Sequence, residues 1–160
     1  MTDKKKLADG EGQVPRMSRC NASAAKKAAR RLSLMYDTVL APVGLKSSQY
    51  GILSELHSRG AALPTVRELA EELVMDRSTL GQNLRPLERD GLITLLSDPK
   101  DRRNRLIALT KVGVAKLKEA AKYWRIVQDR FEATFGQQEA ADLRSVLLAI
   151  AHNPKFARRK

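Results

Sequence analysis

The side chains best suited to chemistry in this sequence lie between positions 77 and 85: Arg77, Ser78, Thr79, Gln82, Asn83 and Arg85. All of them form hydrogen bonds, and the only charges among them are guanidinium groups. At helical spacing Ser78, Gln82 and Arg85 share one face, with Thr79 and Asn83 beside them. Such a face suits the edges of nucleobases. The amides of Gln82 and Asn83 can pair with adenine, and Arg77 or Arg85 can bind guanine or a phosphate. The hydroxyls of Ser78 and Thr79 can serve either. A plain solvated helix face is the competing reading. Further along, Lys100, Arg102, Arg103 and Arg105 stand against Asp98 and Asp101. Arg103 is the choice for insertion into a minor groove, where narrow A/T-rich tracts attract a guanidinium.

The elements that position these groups can be read from their borders. Thr65-Val66-Arg67-Glu68 is a Thr-x-x-Glu capping box that opens a short helix. Val66, Leu69, Ala70 and Leu73 then share its apolar face. Val74-Met75-Asp76 forms a turn, and the Asp76 carboxylate caps a second helix where the helix dipole favours it. That second helix buries Leu80, Leu84 and Leu87, turns the polar set outward and ends at Gly91. Pro86 inside it removes a backbone donor, so a bend is expected after the first turns. Residues 92–96 and 105–109 read as strands around a charged turn at 97–104, and 61–63 can add a third strand. Helix, turn, helix and basic hairpin together outline a winged helix-turn-helix.

Composition agrees with that outline. The chain has 160 residues, 42% hydrophobic and 30% charged, with aromatics at only 4%, so its core must rest on Leu, Ala, Val and Ile. No apolar run reaches membrane-spanning length and no signal-peptide core opens the chain, which implies a cytoplasmic protein without membrane association. A formal net charge of +12 calls for a polyanionic partner. Because the charge coincides with a base-reading pattern, that partner is read as double-stranded DNA rather than an acidic membrane. Cys20 is the single cysteine, which excludes an internal disulfide framework. His57 and His152 are far apart, so no metal site is expected. No glycine-rich phosphate loop, paired acidic motif or nucleophile-base pair is present, so neither an enzyme nor a cofactor is expected.

In chain order, residues 1–19 read as a disordered basic arm carrying Lys4, Lys5 and Lys6. A helix is expected over 22–40, with Ala25, Ala28, Ala29, Leu32, Met35, Tyr36 and Val39 on one face and Lys26, Lys27, Arg30 and Arg31 on the other. Pro42 and Gly44 end it. A second helix over 48–59 places Tyr50, Leu53, Leu56 and His57 on its apolar side. Beyond the wing, Thr110 caps a long helix to about 135 with Leu117, Ala120, Ala121, Trp124, Val127, Phe131 and Phe135 in register. Gly136 breaks it. A last helix carries Ala140, Leu143, Val146, Leu147 and Ile150, and residues 154–160 form a basic tail. These terminal helices hold more apolar surface than a small DNA-reading lobe needs, which points to a homodimer. A two-fold dimer would set two reading helices about one DNA turn apart on a near-palindromic site.

Residues 76–80 (Asp-Arg-Ser-Thr-Leu), 87–93 (Leu-Glu-Arg-Asp-Gly-Leu-Ile) and Asp101-Arg102-Arg103, closing on Leu109-Thr110, resemble the recognition helix and wing of MarR-family transcriptional regulators. The resemblance extends over roughly 22–153. It implies a mainly α fold with a small antiparallel β wing, in a domain spanning 20–153. Residues 46–110 would be the DNA-binding lobe, and 20–45 and 111–153 the dimerisation helices. It further implies that Asp101 steadies the wing by pairing with an arginine, leaving Arg102 and Arg105 split between that pairing and phosphate. A repressor released by an aromatic carboxylate or phenol is expected, the ligand sitting between the dimer helices and the lobe near Arg31, Tyr36, Tyr50 and His57. Cys20 falls roughly where the hydroperoxide-sensing branch of that family keeps its reactive cysteine, and Lys26 and Lys27 would favour its thiolate. The spacing to Gln49-Tyr50 differs from that branch, and the chain has no second cysteine to resolve a sulfenic acid. A thiol switch is therefore the alternative, and a non-specific architectural or RNA-binding winged helix is a further one.

Overall fold

Alanine, lysine and leucine favour helix, and the computed structural model, which describes residues 19–156, is mostly helical. By contacts the chain divides into two units, residues 1–34 and 35–160. The first contains the N-terminal part of α1 (Asn21–Leu40), on which Ala25, Ala28 and Ala29 are exposed along with Lys26, Lys27, Arg30 and Arg31. Cys20 is half-buried just before it, and its carbonyl accepts the Ala24 N–H at 3.0 Å. Apart from Arg19, the basic arm expected over 1–19 lies outside the described residues, as do residues 157–160 of the basic tail.

In the second unit, α1 ends at the fully buried Leu40, and a 3-10 turn, Ala41–Val43, carries the chain to Gly44 at φ 72°. There follow α2 (Ser47–Ser58), α3 (Val66–Glu72), α4 (Arg77–Arg89), β1 (Ile93–Ser97), β2 (Arg105–Leu109), α5 (Lys111–Phe135) and α6 (Gln137–Ala151). The strands pair antiparallel, from Ile93 opposite Leu109 to Ser97 opposite Arg105. Ile93 and Ile107 point into the core, where Leu40, Ile52, Leu53, Leu69, Leu80 and Leu87 meet them almost fully buried. Among the described residues no helix is long and apolar enough to cross a membrane.

Several expectations need correction. Residues 61–63 form no strand. The chain joins the wing two residues later, through a single bridge from Thr65 to Leu106 and an Ile107 N–H bonded to the Pro64 carbonyl at 2.9 Å. Pro64 has no N–H to give, so a regular third strand cannot continue through it. The first strand starts at Ile93 because Leu92 is engaged in closing α4: its N–H reaches Leu87 O while that of Gly91 reaches Glu88 O, both at 2.9 Å. Gly91, at φ 69°, supplies the left-handed step that this closure requires. His57 is exposed and does not belong to the apolar side of α2, whose buried residues are Ile52, Leu53 and Leu56. On α6, where the sequence left open what covers the apolar residues, only Ala140 is buried, and Leu143, Val146, Leu147 and Ile150 face outward in the single chain.

Candidate nucleic-acid interface

Two capped helices joined by a tight turn build the interface. Thr65 Oγ1 accepts the Glu68 N–H at 3.2 Å and Glu68 Oε2 accepts the Thr65 N–H at 2.8 Å, which completes the capping box of α3. Hydrogen bonds from the Thr65 backbone and hydroxyl hold the Glu68 carboxyl below the usual carboxylate range. Asp76 does the same for α4 with more donors. Its carboxylate accepts the Ser78 hydroxyl at 2.7 Å, the Thr79 hydroxyl at 2.7 Å and the Thr79 N–H at 2.8 Å. Those bonds, led by the Ser78 hydroxyl, hold it well below the range of an ordinary aspartate.

This cap changes what the face can do. With their hydrogens directed at Asp76, Ser78 and Thr79 present only lone pairs outward. They can accept from a base amino group, whereas a phosphate, itself an acceptor, would require the hydroxyls to turn away. Arg77, Gln82 and Arg85 are exposed. Asn83 is a correction. It does not face outward: it is half-buried, with its Oδ1 accepting the Ser48 hydroxyl at 2.8 Å and its Nδ2 donating to Thr79 O at 2.9 Å. α4 runs through the half-buried Pro86 to Arg89 without interruption.

The wing tip is organised by carboxylates bonded to backbone. Asp98 accepts the Lys100 N–H at 2.8 Å, and Asp101 accepts the Arg103 N–H at 3.0 Å and the Asn104 amide at 3.5 Å. The expected pairing of Asp101 with an arginine is absent among the described residues, because Asp101 is turned onto the loop backbone. Arg102, Arg103 and Arg105 are exposed and enter none of the salt bridges among the described residues. Their charges are directed at solvent. At the base of the wing, Thr110 Oγ1 donates to Gly91 O at 2.7 Å and accepts the Gly113 N–H at 3.0 Å, tying the end of α4 to the start of α5. Gly113 permits this approach, since a Cβ there would run into the Leu92 carbonyl. The sequence signal for it, a glycine three residues after a capping threonine, went unread.

A cleft of about 440 Å³ opens beside α2, lined by Tyr36, Leu40, Ser47, Tyr50, Gly51, Ser54, Glu55, Ser58, Leu73 and Trp124. Tyr50 and Trp124 stack with ring centroids 6.3 Å apart and planes 15° from parallel. The Tyr36 hydroxyl donates to Gln128 at 3.3 Å. Burial raises the pKa of both tyrosines; Tyr50 raises that of Tyr36 further, while Arg144 and Arg125 act against the rise at Tyr36 and Tyr50 respectively. Of the four sequence candidates for a ligand site, Tyr36 and Tyr50 line this cleft and the exposed His57 does not. Arg31 is exposed on the N-terminal part of α1, in the other unit. Ser47, Gly51, Ser54, Glu55, Ser58 and Trp124 were missed, although positions 47, 51, 54 and 58 repeat at helical spacing.

Comparison with known proteins follows the same outline. The MarR family matches residues 43–104, from the turn before α2 to the wing tip. The structure superposes on the M. tuberculosis transcriptional regulator MosR, solved in complex with DNA, with TM-score 0.76 and 30% identity, covering 88% of this chain and 100% of that one. The transcriptional activatory protein BadR of Rhodopseudomonas palustris is 30% identical over 119 residues, 70% of this chain and 65% of its own. An organic hydroperoxide resistance transcriptional regulator of Bacillus subtilis is 34% identical over 93 residues, 58% of this chain and 61% of its own. The chain spans between half and two thirds of the length of the curated relatives it matches.

Proposed function

The chain belongs to the MarR family of transcriptional regulators, and from that premise we propose that it is a sequence-specific repressor, a two-fold homodimer released from a near-palindromic operator by a small ligand. The observation that carries this reading is the pairing of a capped α4, exposing Arg77, Gln82 and Arg85, with a wing whose exposed Arg102, Arg103 and Arg105 enter no salt bridge among the described residues. Together they supply a base-reading face and phosphate or minor-groove cations. In this reading residues 46–110 are the reading lobe, and 20–45 and 111–153 pair with a second copy. The exposed apolar residues of α6 support that role. The setting is the cytoplasm.

For the effector we propose the cleft beside α2, filled by an aromatic ligand stacked with Tyr50 and Trp124. Of the two expected classes, a phenol fits better than a carboxylate. None of the lining residues is a cation that a ligand carboxylate could pair with, and the one lining carboxylate, Glu55, is itself held by Arg59 at 2.7 Å, whereas the serine and tyrosine hydroxyls can hydrogen-bond a phenol.

The test is a gel shift on DNA flanking the protein's own gene, with unrelated duplex as competitor and with added phenols, aromatic acids or peroxides. A preference of about 10³ or more over unrelated duplex, lost on adding a phenol, is expected. Equal competition by any duplex would make the protein a non-specific architectural binder. Deleting the gene should raise neighbouring transcripts; a fall would make it an activator, as BadR is described. The likeness to a hydroperoxide regulator favours a second reading, a thiol switch at Cys20. Release by peroxide that survives Cys20→Ser removes it.

A further inference from the structure

Asn83 lies on the reading helix, yet both ends of its amide are engaged inside the protein. Reading adenine takes the amide oxygen and the amide nitrogen together, both directed at the base edge. Here the oxygen holds Ser48 and the nitrogen holds a carbonyl one turn back on its own helix. Ser48 in turn belongs to the first turn of α2. There the neighbouring Ser47 N–H donates to Asp37 Oδ1 at 2.7 Å, and Ser47, Tyr50 and Ser54 form one wall of the cleft. The same amide therefore contacts the base-reading turn through Thr79 and, through Ser48, the first turn of α2, where the adjacent Ser47 and Tyr50, though not Ser48 itself, line the cleft.

We propose that Asn83 is a positioning residue and not a base reader: its bond to Ser48 fixes the orientation of α4 and joins the reading face to the α2 wall of the cleft. The proposal rests on the reading that α4 faces DNA. It adds a route of regulation, in which a ligand that displaces the first turn of α2 loosens α4 through one hydrogen bond. A spatial chain alone would not establish this coupling; a thermodynamic cycle between Ser48 and Asn83 measures the bond, and the emission of Trp124 reports whether it reaches the cleft.

The experiment uses the full chain and duplexes it enriches from a random pool. Affinities for the best duplex and its single-base variants are measured for wild type, Ser48→Ala, Asn83→Ala and the double variant, with thermal unfolding run alongside. Each single change is expected to weaken binding about 3- to 10-fold. The double change should be no worse than either, and the preference at every operator position should be kept. Duplex binding should also shift the emission of Trp124, the chain's only tryptophan, stacked on Tyr50 of α2, and Ser48→Ala should abolish the shift at saturating duplex. If Asn83→Ala erases the preference at one A·T position while Ser48→Ala binds as wild type, Asn83 reads a base and the proposal is overturned. It is equally overturned if neither change matters, and unchanged Trp124 emission in the wild type removes the link to the cleft. A wild type that enriches no duplex would sink the DNA-reading function itself, a separate failure visible before any variant is made.

Discussion

The reading lobe and α6 treat their apolar residues in opposite ways. In the lobe Leu69, Leu80, Leu87, Ile93 and Ile107 are 0–2% exposed, whereas on α6 Leu143, Val146, Leu147, Leu148 and Ile150 are 42–58% exposed. The lobe buries them among its own three helices and two-stranded sheet, with Leu40 of α1 and Leu117 and Ala120 of α5 completing the same core. α6 has the same kind of residues and leaves them open to solvent. Each buried methylene contributes about 0.8 kcal/mol, so a face of this kind has much to gain from a second surface. The apolar residues of one part are covered within the single chain; those of the other, on the dimer proposed above, are half of an interface.

Truncating one leucine in the lobe and charging another on α6 should have the largest and most different effects. Leu80→Ala should destabilise the chain by about 2–5 kcal/mol in urea unfolding, because a fully buried side chain leaves a cavity that its neighbours only partly fill. Leu147→Glu should cost the single chain little, since that side chain is already 42% exposed, but should halve the mass in sedimentation. A Leu147→Glu protein that sediments as a dimer would place the two-fold contact elsewhere. Next in size is Arg103→Ala, expected to weaken operator binding by about 1–3 kcal/mol with unchanged unfolding. Binding equal to wild type at physiological salt would remove the wing from recognition.

The lobe was legible in the sequence because its determinants are local. Thr65 and Glu68, Asp76 before the second helix, and Gly91 after it each act within a turn of their own position, and each is found as read. The misreadings at the interface concern which partner a side chain takes. That Asn83 turns inward depends on Ser48, thirty-five positions away, and that Asp101 bonds loop backbone rather than an arginine depends on how the tip folds. The cleft brings α2 against Trp124 of α5, a pairing that no periodicity encodes. Helical period placed the apolar residues of α6 on one side but carried no information about whether anything covers that side.

The cap of α4 makes the lobe sensitive to acid. Asp76 has a folded pKa below its unfolded one, so its contribution is fully present above the unfolded value of about 3.9. It declines as the pH drops below that value and is lost as the pH falls through the lower folded pKa. Asp76→Ala should therefore lower Tm at pH 7, and the gap to wild type should narrow as the pH is taken below 4. A gap that stays constant with pH would mean that the cap acts without its charge. α6 has no side-chain cap and should show no corresponding acid-sensitive step.

The smallest effect lies in the turn between the two helices of the lobe. α3 closes as α4 does: the Met75 N–H reaches Ala70 O at 2.9 Å and the Val74 N–H reaches Glu71 O at 3.2 Å. This closure needs a left-handed residue where α4 has Gly91, and here that residue is Val74 at φ 52°. A β-branched side chain is a poor occupant of that region, which costs an L-residue about 1–2 kcal/mol. Val74 is 63% exposed, so little burial offsets the strain. Val74→Gly removes the strain but adds freedom to the unfolded chain, a loss of about 0.5–1 kcal/mol. The net expectation is a gain of about 0.5–1 kcal/mol in urea unfolding. Should Val74→Gly stabilise the fold and yet weaken operator binding, the valine is kept for its place beside the reading helix, and even the closed lobe holds one residue that folding alone would not select.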